Sequence, residues 1–369
     1  MLWQTNRRGL VTSGGAALLL GGCTTDATTR PMRALPAPPA CLPRVQVDPN
    51  RVIRTVAGLR PFRPSGFVVR AEALGDTRLV HNYGHGGGGI SLSWGSSRLA
   101  TSLGLPSHSG PVAVIGAGIM GLTTARLVQE AGYPVTIYTA ALPPQTTSNI
   151  AGGQIFPTGY FDDHVATPEF RAQADAAADY SRRRFQIMAG DDYGIRWLPT
   201  YDQTRRVGPL PSDLRFPGRV RLTPDEHPFA LDNVVRYETM YVETGRFLER
   251  LLRDIRVAGG KVELRSFNTP SEVAALPEQL VFNCTGLGAA KLFGDPELVP
   301  VRGQLAVLIP QPEIRYAYAF PAGYMFPRGD GILLGGTYER GEYLAKPQPQ
   351  DIAAIVESHR SLMAGWRCA

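Results

Sequence analysis

"PVAVIGAGIMGLTTARLVQEAGYPVTIYTA", residues 111–140, is the stretch that decides the fold. Its opening "VAVI" is a short apolar run of the kind that forms a strand covered on both faces. Gly116, Ala117, Gly118 and Gly121 then give the spacing G-x-G-x-x-G. "LTTARLVQEAG" has the periodicity of a helix, and "VTIYT" reads as a second, parallel strand. The three glycines do different things. The first permits the tight turn, the second lets the backbone approach a pyrophosphate, and the third lets the helix pack closely on the strand. The helix N-terminus then faces the phosphate charge. A lone G-x-G-x-x-G carries little weight, but a strand before it and a helix and strand after it make a dinucleotide site. One part is missing. The second strand ends Tyr138-Thr139-Ala140, with no acidic residue for the ribose hydroxyls, so Thr139 is expected to bond the ribose more weakly.

Downstream, "TPEFRAQADAAADYSRRRFQIMAG" (167–190) and "VETGRFLERLLRDIRVAGG" (242–260) have helical periodicity, the second with Phe247, Leu248, Leu251, Leu252 and Ile255 on one face. "KVELRSF" and "QLVFNCTG" read as further strands. From 302 to 338, "RGQLAVLI", "IRYAYAF", "GYMFPRG" and "GILLGGTY" read as antiparallel strands, followed by a helix in "PQDIAAIVESHRSLMAG". The fold class is an α/β Rossmann-like nucleotide domain with an α+β second domain, the layout of a flavoprotein.

Upstream lies a different kind of segment. Residues 5–23, "TNRRGLVTSGGAALLLGGC", pair Arg7 and Arg8 with an apolar run too short to span a bilayer and a terminal "LGGC". They resemble a twin-arginine signal ending in a lipobox, which implies lipidation at Cys23 and a location in the cell envelope or periplasm. Residues 24–40 are rich in Thr, Pro and Ala and read as a tether. The net charge of +6 comes from scattered arginines. The one dense cluster, Arg182-Arg183-Arg184, reads as a solvated helix face, and no basic stripe with interleaved aromatics points to nucleic acid. The expected contact with a membrane is therefore through the lipid on Cys23 alone.

Between tether and nucleotide motif stands "LVHNYGHGGGGISLSWG", residues 79–95. Successive N–H groups of Gly84 and Gly86 to Gly89 can converge on one acceptor because no Cβ intrudes. This stretch resembles the signature of the D-amino acid oxidase family. "GLRPFRP" (58–64), "VIGAGIMGL", "QTTSNIAGG" (145–153), "FNCTG" (282–286), "RGQ" (302–304) and "YMFP…LGGTYERG" (324–341) resemble further segments of it, and the resemblance covers nearly all of 41–369. The order is rotated, because in that family the glycine turn opens the chain while "RPxRP" and "HNYGHGG" close it. The resemblance thus implies a circular permutation, broken between a helix at about 348–364 and a strand at about 51–56. Residues 41–110 would be the transposed segment, 111–165 the FAD-binding core, 166–300 mixed substrate and FAD-binding segments, and 301–369 the substrate-domain sheet and helix.

The resemblance also implies the chemistry. FAD is the cofactor, held by Gly116, Ala117, Gly118, Gly121, Thr139, Thr146, Thr147, Ser148, Gly152, Gly153 and Phe267 and by the flavin loop at Gly86, Gly87, Gly88, Gly89 and Ser91. Where the family often has an aromatic, this sequence has Gly88. Arg60 is expected to bind an α-carboxylate with Tyr324, whose second aromatic partner is Phe320, while Gly87 offers its carbonyl to the amine and Arg63 braces the loop. No side chain acts as acid or base, and His81 and His85 read as structural. The substrate is a D-amino acid, its α-hydrogen leaves as hydride to the flavin, and oxygen or another acceptor takes the electrons, with hydrogen peroxide as the product from oxygen. Two alternatives stay open: a glycine or imino-acid oxidase, and a non-catalytic flavin-binding envelope protein. Of the four cysteines, none has metal-binding spacing. Cys284 reads as a buried hydrophobe, and the permutation would make Cys41 and Cys368 neighbours able to form a disulfide.

Overall fold

The computed structural model describes residues 41–203 and 216–368. The expected export signal, lipidation site and tether lie outside the described residues. The early part of the described chain serves two sheets. β1 (Val52–Phe62), β2 (Val68–Leu74) and β3 (Thr77–Tyr83) lead through a short turn of 3-10 helix, Gly86–Gly88, into α1 (Gly89–Gly104). Next come β4 (Val112–Ile115), α2 (Ile119–Glu130) and β5 (Val135–Thr139), the strand, helix and strand read around the glycine motif. The middle of the chain holds α3 (Thr147–Ile150), α4 (Pro168–Ile187), β6 (Ile195–Gln203), β7 (Val220–Arg221) and β8 (Val234–Val242). It continues through α5 (Thr244–Val257), β9 (Lys261–Leu264), α6 (Pro270–Ala274), β10 (Leu280–Asn283) and α7 (Gly288–Phe293). β11 (Val299–Leu308), β12 (Ala317–Phe320), β13 (Gly323–Arg328), β14 (Gly331–Gly335), β15 (Glu339–Arg340) and α8 (Pro349–Ala364) follow.

Among the described residues these strands make two sheets. The nucleotide sheet has the order β2-β3-β10-β4-β5-β9, parallel except for β2 at one edge. The second sheet runs β1-β11-β14-β13-β12-β6-β8-β7, with β15 beside β11. Early strands therefore pair with late ones: β1 lies antiparallel to β11, from Val52 opposite Leu308 to Phe62 opposite Val299, and β3 lies parallel to β10 with His81 level with Asn283.

Burial explains why these segments settle where they do. "VAVI" of β4 and "LVFN" of β10 are buried throughout, as strands covered on both faces must be. The stripe Phe247, Leu248, Leu251, Leu252 and Ile255 of α5 packs in one core with Val112, Val114 and Ile137. Each such side chain contributes roughly 1.5–3 kcal/mol on leaving water. At Gly95, α1 touches α4 backbone to backbone: a Cβ there would fall 2.0 Å from the Ala177 carbonyl oxygen, and the Gly95 N–H donates to Ser181 Oγ at 2.8 Å. The second sheet packs one face, with Tyr318, Ile332 and Leu334, against Val356 of α8 and Leu42 and Val45 of the entering chain. Next to that packing, Cys41 and Cys368 form a disulfide with Cα atoms 5.6 Å apart, closing a sequence separation of 327.

Three expectations are corrected. The strand expected at about 51–56 runs on through "GLRPF" to Phe62, because β11 offers ten residues of register against it. β6 and β8 were not foreseen; their polar residues and Pro199 hide a strand whose pairing runs from Ile195 opposite Val242 to Gln203 opposite Val234. The arginine cluster is not merely solvated: Arg184 pairs with Glu130 and its Cζ lies 4.7 Å from the Trp94 ring, and Arg182 lies 5.6 Å from that of Trp197.

Candidate active site

A cavity of about 850 Å³ is lined from both sheets. Its lining among the described residues contains no aspartate or glutamate, and its arginines are Arg60 from β1 and Arg265 just after β9. Both the G-x-G turn and the early glycine ribbon border it, so segments far apart in sequence form one site. Gly116 has φ +111°, where a side chain would be strained, and a Cβ there would also come within 2.5 Å of the Cys284 carbonyl oxygen. Gly121 faces inward, where a Cβ would fall 1.9 Å from the Gly116 oxygen; it serves the close packing assigned to the third glycine. Ser148 Oγ accepts from Ile119 N at 3.0 Å, tying segment 145–153 to the first turn of α2.

The ribbon is held from behind by a polar core. His85 Nε2 bonds Ser96 Oγ at 2.6 Å, Asn82 donates to Ser97 and Thr124, and burial drives the His85 pKa down to about 3. His85 is thus a neutral structural residue, as is His81, which donates to Glu72 and accepts from Asn283. Gly86 and Gly87 meet loop 158–160: Gly87 N donates to the Gly159 carbonyl at 2.8 Å, and a Cβ on Gly86 would lie 2.4 Å from the same oxygen. A Cβ on Gly89 would sit 3.9 Å from Met120 of α2, which sets the ribbon against the nucleotide turn.

Arg60 and Arg63, three residues apart, have opposite fates. Arg63 is fully engaged by Asp295, Glu297, Ser65 and the Gly66 carbonyl, and braces the loop as expected. Arg60 has no ion pair among the described residues; Nη1 donates to the Thr337 carbonyl at 3.3 Å, and the guanidinium lies beside the Tyr324 hydroxyl. Two glycine motifs clear this space. A Cβ on Gly303, of "RGQ", would fall 2.2 Å from Arg60 Nη2, and one on Gly335, of "LGG", 2.2 Å from Tyr324 Cζ. Burial raises the Tyr324 pKa, so its hydroxyl stays protonated and able to donate at neutral pH. A Cβ on Gly87 would lie 3.8 Å from Arg60 Cδ, so ribbon and guanidinium are neighbours.

Five of the expected site residues act differently, the first being Gly121, which packs the helix against the turn and does not line the cavity. Phe320 does not line the cavity: β12 pairs Ala319 with Tyr324, so Phe320 projects from the other face and packs against Phe229 and Tyr318, with ring centroids 4.8 and 5.1 Å away. Gly88 faces Leu92 and Tyr160 instead of the cavity. Ser91 accepts from Phe156 N and donates to the Gln154 carbonyl, so it positions a lining segment without lining the cavity itself. Thr139 lines the cavity, but its single proton goes to the Ala141 carbonyl at 2.7 Å and Ala117 N donates to it at 3.1 Å, so it has no proton for a ribose. The remaining expected residues, Ala117, Gly118, Thr146, Thr147, Gly152, Gly153 and Phe267, line the cavity. Sequence reasoning missed Arg265, Thr158, Gly159 and Tyr338. Only the departure from an acidic strand end hinted at the first of these.

Comparison with known proteins matches this chain to a family model described as FAD dependent oxidoreductase, over residues 9–103 and 111–366. The chain belongs to that family. A D-amino-acid oxidase from Rubrobacter xylanophilus is 30% identical over 250 residues, covering 66% of this chain and 74% of that one. A D-amino-acid oxidase from Streptomyces coelicolor is 31% identical over 257 residues, 68% of this chain and 76% of that one. Among solved structures, glycine oxidase from Geobacillus kaustophilus shares the fold with TM-score 0.52 at 16% identity, over 71% of this chain and 81% of that one.

This FAD-dependent oxidoreductase has a cavity that suits its cofactor. The volume lies in the range of small-molecule sites. Bare backbone at Gly116 and Gly118 and the N-terminus of α2 suit a diphosphate. A Cβ on Gly152 would fall 2.8 Å from the Phe326 ring, so this part of the wall also depends on glycine. Cys284 also borders the cavity, but burial pushes its thiol pKa up to about 12, which keeps it protonated and unreactive.

Proposed function

We propose that this enzyme oxidises a D-amino acid by two electrons to the imino acid, which water then hydrolyses to the 2-oxo acid and ammonia. The observation that carries the reading is Arg60: a guanidinium with no carboxylate partner among the described residues, beside the Tyr324 hydroxyl and next to the glycine ribbon. A substrate α-carboxylate completes the pair, with Tyr324 donating a further bond. The amine is received near the Gly87 carbonyl. Among the described residues, the lining holds no carboxylate, and apart from the permanently charged Arg60 and Arg265 its titratable groups are neutral His85 and high-pKa tyrosine and cysteine, so the amine enters unprotonated and no side chain removes the α-proton. FAD, when bound, would supply the two-electron redox chemistry, with oxygen, giving hydrogen peroxide, or another acceptor as the final oxidant. Gly86, Gly87, Thr158 and Gly159 line the wall beside Arg60 and would hold the substrate close.

The experiment is anaerobic reduction of the holoenzyme across a panel of D-alanine, D-aspartate, other D-amino acids, glycine and proline. Bleaching by D-amino acids supports the reading; bleaching by glycine or proline alone, or by no amine, contradicts it.

The rotated order fits a circular permutation of the family fold. Its supports are the pairing of β1 with β11 and β3 with β10, the disulfide between the two ends, and a family match in two stretches that part just before β4. A chain joined from 368 to 41 and reopened within 105–110 is expected to fold and bind FAD without the disulfide; an unfolded product contradicts the permutation. The envelope location rests on residues 5–23. Cys23→Ala is expected to leave the membrane fraction, and a variant that stays fully membrane-bound excludes the lipid anchor.

A further inference from the structure

Arg265 stands at the carboxyl ends of the nucleotide sheet, where its backbone N–H donates to the Thr139 carbonyl at 2.9 Å. Arg265 borders the cavity, with Cζ 4.8 Å from the Phe267 ring centroid and 5.8 Å from that of Tyr138. Among the described residues no ion pair or hydrogen bond takes up its guanidinium. The buried acid of this region, Glu278, accepts from the Tyr138 hydroxyl at 3.3 Å and does not line the cavity. A planar guanidinium laid against two aromatic rings is fixed in orientation while its rim of donors stays free. Arg265 is solvent-exposed at the rim of the cavity, so its donors are hydrated in the free protein and available to an anionic or acceptor group of a ligand that enters there.

The missing acceptor lies at the same place. β5 ends Tyr138-Thr139-Ala140 without a carboxylate, and the Thr139 proton is already committed to Ala141. We propose that Arg265 holds the adenosine half of FAD by donating hydrogen bonds to its ribose and phosphate oxygens, reversing the polarity of the carboxylate that accepts from a ribose at the end of this strand in other dinucleotide folds. The reversal has a consequence that an acceptor lacks. A carboxylate repels a phosphate on the ribose 2′-oxygen, whereas an arginine attracts it.

The test uses the full-length holoenzyme stripped of flavin and titrated again, with flavin fluorescence reporting binding of FAD and of FMN, which lacks the adenosine half. Arg265→Ala is expected to weaken FAD about tenfold or more, as loss of a charge-assisted hydrogen bond does, and to leave FMN affinity unchanged. Arg265→Gln, which keeps donors without the charge, is expected to fall between. In the native protein, adenosine 2′,5′-bisphosphate is expected to displace FAD at lower concentration than AMP, an advantage that Arg265→Ala removes. Unchanged FAD affinity in Arg265→Ala overturns the proposal. An equal loss for FAD and FMN, which marks general damage, or AMP displacing as well as the bisphosphate from the native protein, does the same.

Discussion

The cavity takes one arginine from each sheet, and the two are held by different means. Arg60 is held by register: β1 runs the length of β11, Gly303 on that neighbour leaves room for the guanidinium, and the Thr337 carbonyl fixes one nitrogen. Arg265 is held by stacking on Phe267 and Tyr138, off the end of a short strand. The difference teaches where precision is built. The end proposed to present a substrate carbon to the flavin depends on backbone pairing and on missing side chains. The end that only retains a cofactor rests on an aromatic surface.

Removing Arg60 tests that comparison hardest. Arg60→Ala is expected to lower kcat/KM for a D-amino acid by about two to four orders of magnitude, from roughly 3–5 kcal/mol for breaking a buried charge pair, while FAD stays bound. Steady-state kinetics and the flavin content of the purified variant measure the two halves of that statement. Cys41→Ser acts on neither arginine. A disulfide typically contributes about 2–4 kcal/mol, so the expectation is a lower Tm by several degrees with KM unchanged, read by thermal melts beside kinetics. A shift in KM would show that the disulfide reaches the cavity.

Gly303→Ala asks whether register alone holds Arg60. The added Cβ would fall 2.2 Å from Nη2, and overpacking of this sort costs about 1–3 kcal/mol. KM is expected to rise roughly tenfold to hundredfold with FAD affinity intact; an unchanged KM would mean the guanidinium is free to move aside. Tyr324→Phe is the gentlest change. It removes one hydroxyl, worth about 1 kcal/mol, and a severalfold rise in KM without loss of flavin is expected.

Much of this architecture is legible in the sequence because it rests on local rules. The turn at Gly116 to Gly121, the stripe on α5 and the glycine ribbon each announce themselves by spacing. What stays hidden depends on pairing. Phe320 and Tyr324 stand in one apparent hairpin, yet which of them faces the cavity follows from Ala319 lying opposite Tyr324, a parity that no sequence window contains. Gly303 and Gly335 look like ordinary strand glycines until the side chains of neighbouring strands are seen to need their space. Arg60 and Arg63 are the same residue type three positions apart; only the arrival of Asp295 and Glu297 from distant sequence tells the engaged brace from the guanidinium left facing the cavity.

The most direct test compares the D and L forms of one neutral amino acid, followed anaerobically by the flavin absorbance of the holoenzyme, in the native protein and in Arg60→Ala. The native flavin is expected to bleach with the D form and not with the L form, and the variant to need at least a hundredfold more D-amino acid while keeping its full complement of FAD. Bleaching of both proteins at the same concentration, or equal bleaching by both enantiomers, would contradict a site in which Arg60 orients the substrate.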